Sequence, residues 1–276
     1  MKLLFIGDIV GRPGRDLIRR HVRALASHYE ADLVIANGEN AAGGAGITRE
    51  NMLEIMSAGV DVITTGNHVW DKRETLEFIG NEPRLLRPAN YPEGTPGLGS
   101  CVVNSKSGVP VGVINVMGRV FLNAIDDPFR VALREIDRVR EAGAQVIFVD
   151  MHGETTSEKI ALSYYLDGKV AAVIGTHTHV QTADERILAG GTACLTDAGM
   201  TGPHDGVIGI EKDAIIARFT TGLPGRFETA SGDPRLNGVI IDVDPTNGRA
   251  TGISRLSLSE DELKAITDAV TLEARA

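Results

Sequence analysis

Aromatic residues are scarce in this chain: phenylalanine, tryptophan and tyrosine make up 4 % of its 276 residues, with a single tryptophan. Any core must therefore be filled by aliphatic side chains, and at 42 % hydrophobic and 24 % charged the composition suits a globular protein. Cysteine is scarcer still. Cys101 and Cys194 stand in separate apolar segments without Cys-x-x-Cys spacing, so the sequence suggests neither a disulfide framework nor a thiolate zinc site and leaves two buried thiols. Positive charge is short as well: 28 Lys and Arg against 37 Asp and Glu give a net charge of -9, the wrong sign for holding long nucleic acid by counterion release. A small anionic substrate stays open, because a local site can reverse the global sign. No apolar run approaches the roughly 20 residues of a membrane span, and the apolar N-terminal stretch is too short for a signal peptide before it meets Asp8. The expectation is a cytoplasmic protein with one domain over residues 1–276, without a membrane partner; homo-oligomerisation is left open.

What the sequence does contain is alternation. Short β-branched runs, read as strands at Lys2–Gly7, Asp32–Asn37, Asp61–Thr65, Val109–Val116, Gln145–Met151 and Val170–Gly175, are separated by segments of helical period. Such βαβ units build a mainly parallel sheet whose strands are apolar on both faces. Pro13 suits the first turn of one helix, Thr48 starts a second, and Asp127-Pro128 opens a third. After about residue 180 short strands punctuated by glycine follow, at Glu185–Leu188, Thr192–Thr196, Ala214–Phe219, Val239–Val243 and Ala250–Leu256, and antiparallel pairing is expected there. Ser259 with Glu262 forms a capping-box signal for a final helix, Glu260–Leu272. Segments 90–100 and 220–238 read as loops.

The polar residues fall where the strands end. Asp8 follows the first strand, Glu39 and Asn40 the second, Asn67 and His68 the third, His152 the run Val146–Val149, and His177 and His179 the run Val170–Ile174. In an open parallel sheet these carboxyl ends share one edge, where ligands bind. Glycines at Gly7, Gly38, Gly66, Gly153 and Gly175 permit the tight turns that such presentation needs. Asp8, Glu39, Asn40, Asn67, His152, His177 and His179 offer oxygen and imidazole nitrogen but no thiolate, a set that suits manganese, iron or zinc. Seven ligands exceed what one ion takes and suit two, with a carboxylate such as Glu39 between them. The i, i+2 spacing of His177 and His179 places both rings on one side if the segment is extended.

Gly7-Asp8, Gly38-Glu39-Asn40, Gly66-Asn67-His68, His152-Gly153 and Gly175-Thr176-His177-Thr178-His179 resemble the ordered motifs of the calcineurin-like metallophosphoesterases. Gly7-Asp8-Ile9-Val10-Gly11-Arg12-Pro13-Gly14, Gly66-Asn67-His68-Val69-Trp70-Asp71 and Met200-Thr201-Gly202-Pro203 resemble its bacterial YmdB-like branch, and the resemblance spans nearly the whole chain. Val10, Glu39 and Val69 depart from the wider superfamily, whose motifs carry His, Asp and Glu at those places. The resemblance implies an α/β fold, an αββα sandwich with a mainly parallel first half and a more antiparallel second half. It implies phosphodiesterase activity on 2',3'-cyclic nucleotides through two divalent or mixed-valence ions, iron or manganese before zinc, with a metal-bound hydroxide attacking phosphorus. One ion falls to Asp8, Glu39, Asn40 and His179, and the other to Glu39, Asn67, His152 and His177. His68 becomes the non-ligand histidine that faces substrate. A phosphomonoesterase on the same site and a non-catalytic nucleotide sensor are the alternatives.

Other polar residues have more ordinary readings. His21 and His28 read as surface or helix-end groups on the first helix, and His204 as a loop residue that could border the crevice. Arg12 reads equally as a phosphate contact or a surface arginine, Asp150 and Asp197 as orienting groups or strand caps, and Trp70 as packing. Residues 41–46 lack a nucleotide-loop pattern and read as a flexible loop.

Overall fold

Residues 1–274 are described by a computed structural model. In chain order its first elements are β1 (Lys2–Ile6), β2 (Asp8–Ile9), α1 (Gly11–His28), β3 (Leu33–Asn37), α2 (Arg49–Ser57), β4 (Val62–Thr64), α3 (Thr75–Phe78), β5 (Ser100–Asn104) and β6 (Pro110–Met117). Then come α4 (Pro128–Glu141), β7 (Val146–His152), α5 (Thr156–Tyr165), β8 (Ala172–Thr176), β9 (Arg186–Ile187), β10 (Ala193–Leu195) and β11 (Met200–Asp205). The remainder is α6 (Lys212–Thr221), β12 (Gly232–Asp244), β13 (Arg249–Ser259) and α7 (Glu260–Glu273).

The strands form two sheets, as the sandwich implied by the family resemblance requires, so the strand ends that carry the ligand candidates belong to two sheets rather than to one open sheet. The first runs β2-β11-β12-β1-β3-β4, with β13 on β12, and the second runs β5-β6-β7-β8-β10-β9. Period-two burial explains why they stack. Leu3 and Phe5 of β1 point into a core shared with Val113, Phe148 and Ile174 of the second sheet, and the Phe5 and Phe148 rings lie 4.9 Å apart. Leu4 and Ile6 point the other way, onto Leu17, Ile18, Val22 and Leu25 of α1. On the outer face of the second sheet, Ile147 and Val149 pack with Ile136 of α4 and Leu162 of α5. Helices therefore flank two sheets that both need apolar cover, and each large side chain fully buried there contributes about 1.5–3 kcal/mol.

Pairing follows the expected division. β1, β3 and β4 are parallel, as are β6, β7 and β8, whereas β12 is antiparallel to β1, β11 and β13. The helix starts also agree: Thr48 and Asp127 accept from Asn51 N and Phe129 N, and Ser259 with Glu262 forms the capping box.

Three expectations need correction. Residues 214–219 lie in α6, not in a strand; their apolar run is too short for periodicity to decide, and Gly222 ends the helix in a left-handed conformation. Residues 232–238 belong to β12, not to a loop, because β11 pairs with its first half. β5 pairs antiparallel with β6 just after the glycine-rich segment. His21 is buried between α1 and α7, its Nδ1–H donating to Thr267 Oγ1 at 2.8 Å, while His28 ends α1 exposed as expected. Both cysteines are free; Cys194 is buried and Cys101 half-buried, where burial pushes its thiol up to about 12. Among the described residues no helix is long and apolar enough to cross a membrane.

Candidate metal centre

The two sheets bring their carboxyl ends to one place. Gly7 lets the chain pass so close to Gly199 that a side chain there would strike the Gly199 carbonyl, and Asp8 follows, wholly buried. Asp8 Oδ2 accepts from His177 N at 3.2 Å, while Oδ1 is buried without a hydrogen-bond partner among the described residues. Glu39, after β3, is also buried; its Oε1 lies 3.2 Å from His152 Nε2 and its Oε2 accepts from His68 N at 3.2 Å. Gly66 admits this approach, since a Cβ there would overlap both the His152 ring and the Glu39 carboxylate.

Around His152 Nε2 three groups gather: Glu39 Oε1 at 3.2 Å, Asn67 Oδ1 at 3.0 Å and His177 Nδ1 at 3.0 Å. The ring's own orientation is fixed from behind. His152 Nδ1 donates to Thr176 Oγ1 at 2.9 Å, and Thr176 Oγ1 donates to buried Asp150 Oδ1 at 2.7 Å. That chain leaves the Nε2 lone pair facing the gathered acceptors, an arrangement that a cation satisfies and a single proton does not. On the other side of Glu39, Asn40 Nδ2 lies 2.9 Å from His179 Nε2, and His179 Nδ1 donates to the Ile208 carbonyl at 2.8 Å. Two trios result, Glu39-His152-His177 and Asp8-Glu39-His179, each with ligand atoms within 4.8 Å of one another and with Glu39 in common.

The electrostatics are unbalanced. Burial pushes Asp8 up despite the opposing pull of His179 and His152. Burial also works against Glu39, but the charge and hydrogen bond of His152 outweigh it and hold this carboxylate below its ordinary range. His152 is raised in turn, its burial overcome by Glu39, whereas burial and the neighbouring His152 bring His177 down to about 3. The pull of His152 goes mainly to Glu39, and Asp8, with Oδ1 unpartnered among the described residues, is the carboxylate left short. Divalent cations fit this donor set.

All seven ligand candidates read from the sequence are thus brought together, with His68 beside them on the wall of a cavity of about 460 Å³. The histidine geometry differs from the expected strand alternation. His177 and His179 follow β8 with φ of 102° and 65°, so a bend, not an extended segment, turns both rings to the centre. His204 lines a recess that shares His179 and Ile208 with the cavity, whereas exposed Arg12 lines a separate groove with Arg15 and Glu54. Trp70 packs edge-on against Tyr91 at 5.8 Å. Residues 43–45 of the glycine-rich loop line the cavity.

Three contributors escaped the sequence reading. Asp71 Oδ2 lies 2.7 Å from His68 Nδ1, Glu154 Oε2 lies 3.0 Å from His177 Nε2, and buried Lys159 pairs with Asp197 at 2.7 Å. An acid three residues after His68 and another two after His152 were the available signals.

A shared carboxylate between two ligand trios, at the joined ends of a two-sheet sandwich, defines a metallophosphoesterase. A family profile described as YmdB-like protein matches residues 4–256, and the chain belongs to that family. It is 49 % identical over 265 residues to a Bacillus subtilis protein named 2',3'-cyclic-nucleotide 2'-phosphodiesterase, covering 95 % of this chain and 99 % of that one. Among solved structures it resembles a Thermus thermophilus protein described as hypothetical, at 41 % identity and a TM-score of 0.87, covering 94 % of this chain and 100 % of the other. A Mycoplasma pneumoniae protein described as a novel phosphatase matches at 34 % identity and a TM-score of 0.87, covering 96 % of each chain.

Proposed function

We propose that this chain hydrolyses small phosphodiesters, foremost nucleoside 2',3'-cyclic phosphates, as a single domain. The observation that carries the reading is the gathering of Asn67 Oδ1, Glu39 Oε1 and His177 Nδ1 around His152 Nε2, with Glu39 reaching the second trio. Asp8, Glu39, Asn40 and His179 would hold one ion, and Glu39, Asn67, His152 and His177 the other. Iron or manganese suits these oxygen and imidazole donors better than a thiolate-seeking ion. Two such ions supply neutralisation of the phosphoryl oxygens and water activated near neutral pH. The name of the 49 % identical relative supports the cyclic-nucleotide substrate.

The chain's own residues then have distinct tasks. His68, on the cavity wall, has its Nδ1 engaged by Asp71, which leaves Nε2 as the ring nitrogen for substrate. As a water oxygen bonds to phosphorus and gives up a proton to solvent, one P–O bond of the cyclic ester breaks; His68 Nε2 would pass a proton to the departing ribose oxygen, with the Asp71 carboxylate steadying the protonated ring before transfer. Asn67, whose Oδ1 faces His152, would contribute a neutral oxygen donor, which keeps the total negative charge of the centre lower than a third carboxylate would. Two free cysteines suit a reducing, cytoplasmic setting.

The test is reconstitution. Metal-stripped protein receives manganese or iron and is assayed on adenosine 2',3'-cyclic phosphate, on bis(p-nitrophenyl) phosphate and on p-nitrophenyl phosphate. Restored cleavage with the diesters ahead of the monoester is expected. Full diester cleavage after complete chelation overturns the metal assignment, and a monoester preference overturns the substrate class.

A further inference from the structure

The cavity over the metal centre is lined by two chemically different sets of side chains. Its polar side chains all belong to the strand-end motifs or adjoin them, whereas the rest of the side-chain wall is apolar and includes Val10, Ile208, Ile210 and Phe227. Phe227 is 45 % exposed and Ile208 50 % exposed, so large apolar surface lies open to water beside a polar centre. Gly43 and Gly44, with φ of 70° and 94°, complete this rim, and a Cβ at Gly43 would project into open space. The position of Phe227 is set by backbone pairing. Ile210 bridges to Thr229, and Glu211 N donates to the Glu228 carbonyl at 3.0 Å, so the intervening segment leaves and returns at the cavity. Helix α6 within that segment buries none of its residues, so core packing is not what holds Phe227 there.

We propose that this apolar set forms a slot for the nucleobase of the substrate, with Phe227 as its stacking platform, and that it recognises a flat ring without reading which base it is. The inference rests on the phosphodiesterase reading above and adds a determinant of its substrate. Every nucleobase has a π-face, so an aromatic platform accepts all of them. Reading one base would require donors and acceptors facing its edge, and the side chains of the apolar set carry none. The polarity of the cavity matches that of a nucleotide, with phosphate toward the ligand trios and base toward the hydrocarbon. A cyclic phosphate without an aromatic base would leave the apolar residues in water.

The experiment compares metal-loaded wild-type, Phe227→Ala and Phe227→Trp proteins on the four nucleoside 2',3'-cyclic phosphates and on glycerol 1,2-cyclic phosphate. The four nucleotides should have kcat/KM within about tenfold of one another, purines ahead, as expected of stacking without edge recognition. Phe227→Ala should lower the preference for the adenosine substrate over the glycerol one by about tenfold, chiefly through KM, the scale of one lost base–aromatic stack. Phe227→Trp should restore it. An unaltered preference in Phe227→Ala, or one nucleotide favoured a hundredfold, overturns the slot. Saturation-transfer NMR with adenosine, which carries no phosphate, separates the two claims. Adenosine bound in a Phe227-dependent way by a protein that cleaves no diester keeps the slot and overturns the function; diester cleavage indifferent to Phe227 does the reverse.

Discussion

The carboxylate of Asp197 holds Thr178 at two points, accepting from its backbone N–H at 3.0 Å and from its Oγ1 at 2.7 Å. The same Oδ2 receives Lys159 Nζ at 2.7 Å, and both charges are buried. Thr178 sits between His177 and His179, whose φ values of 102° and 65° lie in the region that L-residues avoid. A left-handed conformation costs about 1–2 kcal/mol per residue, so two in three residues persist only where the surroundings fix them. The Lys159–Asp197–Thr178 chain fixes them and thereby orients one histidine of each candidate trio.

Thr178→Val keeps the volume and removes the hydroxyl. Metal affinity should fall by about 10- to 100-fold, the usual loss when a group orienting a ligand is removed, with the melting temperature of the metal-free protein little altered. Asp197→Ala strands a buried ammonium and should destabilise the fold by about 3–5 kcal/mol in denaturant titration. Wild-type metal affinity in Thr178→Val would show that the backbone bond alone suffices.

If His68 acts as proposed, moving a proton and binding no ion, His68→Ala should reduce kcat by about 10²–10⁴-fold while the protein retains its metals. Asp71→Asn leaves the ring in place without its anionic partner and should have a smaller effect. Metal analysis alongside kinetics decides: parallel loss of metal and turnover would make His68 a ligand.

Gly66→Ala places a methyl group into the His152 ring and the Glu39 carboxylate. Both ligands must move, so metal content and activity should drop together, activity by about a hundredfold or more. Full metal occupancy in this variant would mean that the centre is looser than its hydrogen bonds indicate.

Loading the centre should stabilise the fold, since the unfolded chain cannot gather ligands from both sheets. At a free metal concentration of about 100 times Kd the gain is about 2.7 kcal/mol, visible as a melting temperature that climbs with manganese concentration. Variants Asp8→Asn and His179→Asn should blunt that climb; an undiminished response would place the bound ion elsewhere.

His21 gives a stability effect away from the centre. Burial, joined by Arg20, lowers its pKa below the ordinary 6.5 against the pull of Glu260 and Asp268. The unfolded chain therefore takes up the proton first: this contribution is whole above pH 6.5 and is lost as pH falls through the folded value. Unfolding measured from pH 7.5 to 5 should show this loss in wild type, and His21→Asn should flatten it. An identical slope in the variant would assign the dependence to other groups.

The glycine and polar pairs were legible because each one follows an apolar run, and a polar group that ends such a run stands out from the hydrocarbon before it. The short apolar run 214–219 misled for the opposite reason: without a partner to pair or bury it, its residues satisfy helix and strand templates alike, and the structure makes it α6. Asp71 and Glu154 look like surface acids in the sequence, since nothing local tells which histidine nitrogen they meet.

Local chemistry thus set the repeating strands and helices, the positions where ligands are presented, and the aliphatic core. What folding alone settled was which side chains meet: that Asp71 stands against His68 Nδ1, that Asp197 holds Thr178 at two points, and that Phe227 is carried to the cavity rim from a segment with no core of its own. Periodicity acts over a few residues and reports which way a side chain faces. The partner it meets depends on pairings across long stretches of chain, 169 positions between Asp8 and His177, and only the packed sheets define those.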